Sequence, residues 1–171
     1  MKTVAWVLLA SFAVPASQGQ VVARQGDPSE ASVQEFKSPM VLDLPLKDFQ
    51  KISSGTGKHF AEVRKYYCDD LMISELLVTK KTDARYGGMR LSLEGAVTVR
   101  PSYDRRATLR FDVVKGEEKL ATTQVAGIKA GERKTRKFSA ELNLGPATVA
   151  RLFAEGEAPM LRVTVTVQSD R

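Results

Sequence analysis

One cysteine and one histidine in 171 residues close off several classes of function. A lone Cys68 cannot close a disulfide within the chain, so the framework of bridges that staples many small secreted domains is excluded. No Cys-x-x-Cys, His-x-x-x-His or His-Glu-x-x-His spacing occurs, and the methionines beyond residue 20 are scattered. No transition-metal site follows from such a set, and neither a metal nor a cofactor is expected. Nucleophilic or acid/base catalysis usually needs a histidine or a tuned pair of carboxylates. His59, beside Lys58 at an element boundary, reads as an ordinary surface residue, and the expectation is a protein that is not an enzyme. Long apolar runs are lacking too. The run at residues 4–14 has 11 uncharged residues, whereas a helix crossing a hydrocarbon core of about 30 Å needs about 20. The chain is not expected to span a membrane.

That short run is itself informative. Lys2 precedes it and small residues follow, which is the pattern of a cleaved export signal over residues 1–19, with the cut between Ala16 and Gly19. No cysteine follows the run, so a lipoprotein anchor is not available. The expected location is the periplasm or the exterior, and the absence of a disulfide framework favours the periplasm. The whole chain carries 26 basic and 20 acidic residues. Residues 1–20 hold one lysine and no acid, so removing them leaves 25 against 20, a modestly basic product. Its length suits one domain, which buries about 68–70% of the surface its unfolded chain exposes and needs no staple.

Periodicity organises the rest. Residues 20–57 are rich in Gly, Pro, Ser and acid and are interrupted by Pro39 and Pro45, which reads as a flexible N-terminal segment. Within it, residues 40–46 alternate briefly and suit a short edge strand. The domain is expected over residues 58–171. Residues 72–79 are apolar and β-branched and predict a strand, preceded by a short helix or a further strand. Met89, Leu91, Leu93, Val97 and Val99 then alternate with polar residues, the pattern of a strand with one wet face, and Gly95 sits on the inward register as a gap or a bulge. Ala107, Leu109, Phe111 and Val113 repeat the pattern, and Lys115, Gly116, Glu117 and Glu118 turn the chain into a hairpin partner. Further strands begin near Phe138 and cover Leu161, Val163, Val165 and Val167. Between them Pro146 opens a short helix, near residues 146–155, with Gly156 as its stop. The fold class is therefore all-β, an antiparallel two-sheet immunoglobulin-like sandwich with one short helix.

The stretch LSLEGAVTVRPSYDRRATLRFDVVKGEEKL, followed by a polar strand, an Ala-Gly-Glu turn and a strand from Phe138, resembles the immunoglobulin-like FxLYD-type domains of bacterial envelope and secreted proteins. The resemblance lies in the order of strands and glycine turns over residues 89–142. Residues 109–113 carry Asp and Val where the family pattern has Tyr and Asp. What it implies is a fold and an envelope setting, and no catalytic or ligand residue comes with it.

Three local clusters invite chemistry. Cys68 stands next to Asp69 and Asp70, whose charges disfavour the thiolate. It is expected to be a buried or half-buried free thiol, with an intermolecular disulfide as the alternative. Asp69 with Asp70, and Glu117 with Glu118, are acids in turns and read as solvated rather than as a glycosidase pair. Basic residues cluster most: Lys80, Lys81 and Arg85; Arg100, Arg105, Arg106 and Arg110; Arg133, Lys134, Arg136 and Lys137. On one wet sheet face the last two groups would form an anion-binding patch, although outward strand positions are commonly charged and discourage edge pairing. No aromatics interleave with them as a nucleic-acid platform requires. The expected function is an exported, non-enzymatic envelope module for binding or structure. The alternative is binding of lipid headgroups, lipopolysaccharide or an acidic partner through a basic face.

Overall fold

Alternating side chains become strands wherever the period holds. The computed structural model describes residues 32–61, 64–83, 87–99, 105–131 and 134–169. Over these the chain forms strands β1 (Ser32–Phe36), β2 (Met40–Pro45), β3 (Gly57–His59), β4 (Arg64–Cys68), β5 (Leu71–Asp83), β6 (Gly88–Val99), β7 (Arg105–Lys115), β8 (Glu118–Ala130), β9 (Arg136–Leu144) and β10 (Pro159–Ser169). A 3₁₀ turn, Lys47–Gln50, follows β2, and one helix, α1 (Pro146–Phe153), joins β9 to β10. The export signal expected over residues 1–19 lies outside the described residues.

The strands make two sheets. One runs β1-β4-β5-β6-β9 with β3 also on β5, and the other runs β2-β10-β7-β8. Every pairing is antiparallel except β1 with β4, which is parallel. The inward positions of both sheets, among them Ile73, Leu93, Leu109, Phe111, Val163 and Val165, are fully buried in one core. Each such side chain stabilises the fold by about 1.5–3 kcal/mol relative to exposure. This is the two-sheet sandwich that the alternation implies. On β6 the burial exceeds expectation: besides the inward row, Ser92 and Ala96 on the outer register are 4% and 1% exposed. They are small and lie between Thr79 and Glu141, and between Glu75 and Lys137, on the flanking strands.

Two irregularities shape the first sheet. A bulge between Ile73 and Glu75 shifts the register of β5 on β6, so Leu71 and Ile73 point inward before it and Leu76 and Val78 after it. Gly95, opposite Phe138 in the ladder, leaves no gap. A Cβ there would stand 2.4 Å from both the Glu75 carbonyl oxygen and the Phe138 ring. The ring covers the glycine and reaches across the core to Phe111, with centroids 6.0 Å apart.

The boundary expected at residue 58 is overturned, because the segment read as flexible packs into the body from β1 onward. β2 pairs with β10 and alternates buried and exposed positions. Met40, Leu42 and Leu44 enter the core, and Leu46 and Phe49 are fully buried. Pro39 and Pro45 do not interrupt this strand: Pro39 precedes it, through a cis Ser38–Pro39 peptide, and Pro45 is its last residue, where an edge strand tolerates a missing donor. The helix is shorter than expected and ends at Phe153. Gly156, at φ 113°, lies beyond it in the following bend. The helix end is closed from β7, where Lys115 Nζ donates to the carbonyls of Arg151 (2.9 Å) and Ala154 (2.7 Å).

Candidate anion-binding end of the sandwich

Antiparallel pairing sorts the molecule into two ends. The 3₁₀ turn, α1, the end of β5 and the start of β6 lie at one; the β4–β5 turn, the start of β7, the end of β8 and the start of β9 lie at the other. The basic residues predicted as a patch divide accordingly. Arg105 opposes Ala130 and Ser169, Arg106 opposes Lys129, Arg136 opposes Val97, and Lys137 opposes Ala96. Lys134 occupies the segment just before β9. These residues share an end and not a face. Arg106 is outward on the second sheet and Lys137 outward on the first. The single wet sheet face is thereby corrected, because the cluster's strands belong to different sheets.

Their electrostatic circumstances differ. Arg105 continues the inward register of β7 and donates from Nη2 to Asp70 Oδ2 at 2.7 Å and from Nη1 to Ser169 Oγ at 3.1 Å. With side chains 18% and 30% exposed, this pair closes the open end of the sandwich. Arg110 lies four residues further along β7, about 13 Å from Arg106 at the strand rise. Its Nε stands 3.0 Å from Oδ2 of the buried Asp112. Beside it Arg162 donates to both oxygens of Asp43 at 2.8 Å, and that carboxylate holds the guanidinium above its usual value. Lys134, Arg136 and Lys137 are exposed, as are Arg106 and Lys129. Arg100 and Arg133 lie outside the described residues, as does Arg85. Lys80 and Lys81 belong to the opposite end.

Lys129 is the member that sequence reasoning missed. Counting back from a two-residue turn places Arg106 opposite residue 127. Two register shifts in the β7–β8 ladder, between Ala107 and Leu109 and between Val113 and Val114, move the partner to Lys129. A bulge leaves little trace in composition, and Gly127 at φ 68° was the available hint.

The other predicted groups are occupied structurally. Cys68 is fully buried, with Sγ 3.8 Å from the Val165 carbonyl oxygen. Burial, with Asp69 adding in the same direction, pushes its thiol up to about 11. The folded protein gives a second chain no access to that sulfur. Asp69 takes a left-handed φ of 51° in the β4–β5 turn, which Asp tolerates; its Oδ2 accepts from the Ser38 backbone N–H at 3.2 Å. Glu118 pairs with Arg151. His59 is exposed on β3 and borders a groove of about 630 Å³ on the outer face of the first sheet, with Glu75, Glu94 and Ser139. One row runs His59, Leu77, Glu94, Ser139 across four strands. At about 4.8 Å per strand, His59 and Ser139 have Cα atoms about 14 Å apart, too far for a nucleophile and its base. Among the described residues no group of three or more His, Cys, Asp or Glu side chains is placed to hold a metal ion. No helix of the described residues is long and apolar enough to cross a membrane.

Neither the models of known protein families nor the curated proteins include a match to this chain.

Proposed function

We propose that the protein is an exported, non-enzymatic envelope module whose β-sandwich binds or braces a partner, with the basic end as its contact surface. The observation that carries this reading is the convergence of Arg106, Lys129, Lys134, Arg136 and Lys137 from three strands and a loop onto one end. Several like charges held together raise the local potential and attract an acidic surface. Export is supported by the basic start and apolar run of the N-terminus. A non-enzymatic role is supported by the separation of about 14 Å that strand spacing sets within the His59 row and by the buried Cys68, whose thiol is pushed up to about 11.

An immunoglobulin-like relationship of the FxLYD type is part of the proposal. It is supported by ladders in which β6 joins β5 to β9 and β7 joins β8 to β10, the kind of exchange between sheets that Greek-key sandwiches use. The second reading, that the acidic surface is itself a lipid headgroup layer or lipopolysaccharide, is favoured by the exposure of the cluster on two sheets at once. Co-sedimentation with phosphatidylglycerol vesicles separates the two. Binding that weakens from about 50 to 200 mM salt supports the lipid reading, since exposed charges are screened within about 10 Å. Absent binding removes it and leaves a protein partner, to be sought by crosslinking in envelope extracts. Turnover of a defined substrate would end the non-enzymatic reading.

A further inference from the structure

At the end opposite the basic cluster, the 3₁₀ turn and α1 flank a cleft of about 340 Å³ over the start of β6. Its wall is apolar. Val149 and Phe153, one helical turn apart on α1, are half-buried against the core, and Met89 at the floor is 3% exposed. Facing them is Lys80, which follows Leu76 and the fully buried Val78 on the inward register of β5. Lys80 Nζ donates to the carbonyls of Phe49 at 2.7 Å and Gln50 at 3.4 Å, which uses two of its three N–H donors. Thr82, two residues on, adds a hydroxyl to the same wall. Among the described residues lining the cleft, Lys80 is the charged one, and no carboxylate faces it.

A confined cation against an apolar wall selects a ligand of opposite charge with an apolar body. We propose that this cleft binds a small monocarboxylate carrying an aliphatic chain, its carboxylate on Lys80 Nζ and Thr82 Oγ1 and its chain against Val149, Phe153 and Met89. The volume is at the low end for ligand sites, which run from about 300 Å³, so the chain is a short one. The amide wall of Gln50 and the glycine backbone of Gly88 complete the rim and add no charge. This inference goes beyond the proposed function and concerns the other end of the molecule, so its failure leaves the basic-end reading standing.

Octanoate is the probe, titrated into the full chain while the methyl NMR signals of Met89 and Val149 are followed. The expected result is saturable one-to-one binding that shifts both residues. Octanol and octylamine should bind about 10- to 100-fold more weakly, the loss of one charge-assisted hydrogen bond. Lys80→Gln should weaken octanoate by a similar factor. Because that substitution also removes the bonds to the 3₁₀ turn, Ala150→Trp provides the independent check. Ala150 is exposed on α1 and lines the cleft, so an indole there fills the space while leaving Lys80 in place, and binding should disappear with circular dichroism unchanged. Absence of saturable shifts in the folded chain, equal binding of octylamine, or binding undiminished in Ala150→Trp would each overturn the proposal.

Discussion

The two ends of this sandwich use the same kind of side chain for different purposes. At the helix-capped end, Lys115 closes the last turn of α1 and Lys80 closes the 3₁₀ turn, each by donating to backbone carbonyls. Beneath them Leu46, Phe49 and Leu152 are wholly buried. At the basic end Arg105 is drawn inward onto Asp70, while Lys134, Arg136 and Lys137 are exposed. The difference follows from backbone chemistry. Helices leave their final carbonyls without intrahelical partners, and a lysine within reach is recruited to them. Among the described residues no helix ends beside Lys134, Arg136 and Lys137, so no such carbonyls draw them in.

The comparison can be broken most severely at the capped end. Phe49→Ala, which empties a fully buried site outside the strands, should cost about 3–5 kcal/mol in urea denaturation. A cost under 1 kcal/mol would mean that this end does not share the core. The next effect belongs to the basic end and depends on pH. Below the ordinary thiol value of 9.0 both folded and unfolded chains hold the Cys68 proton. Between there and about 11 only the folded chain keeps it, so stability falls as pH rises through that window. Between pH 8 and 10.5 the loss should be roughly 2 kcal/mol, measured as the difference between the wild-type chain and Cys68→Ala. Equal slopes for the two would contradict a protonated, buried thiol. Smallest is the coupling between Arg105 and Asp70, expected at about 1 kcal/mol from a double-mutant cycle because both side chains are partly exposed. A coupling indistinguishable from zero would leave the basic end without its clamp.

How legible all this was depended on the regularity of each ladder. β10 and β7 alternate without a break at their inward positions, and period two read both directly. β5 does not alternate: its bulge slips the phase between Ile73 and Leu76, leaving a run that predicts a strand but hides which face is inner. β2 was readable only as a brief edge strand, since its partner β10 lies more than a hundred residues away and nothing local signals that pairing. The stop assigned to Gly156 failed because the helix end is satisfied by Lys115 from a distant strand. The basic patch was recognisable in composition, but its placement required knowing which strands share an end. Two bulges on the β7–β8 ladder displaced even the local count.

Charge reversal at each end tests the central claim most directly. Lys134→Glu with Arg136→Glu alters two exposed cations at the basic end, and Lys47→Glu with Lys51→Glu alters two at the capped end, so both variants change net charge equally. Capture of the known-charge probe, phosphatidylglycerol vesicles, or of the crosslinked envelope partner at low salt should be lost in the basic-end variant and retained in the capped-end variant. Equal loss in both would show that net charge alone governs association and would contradict a specialised end.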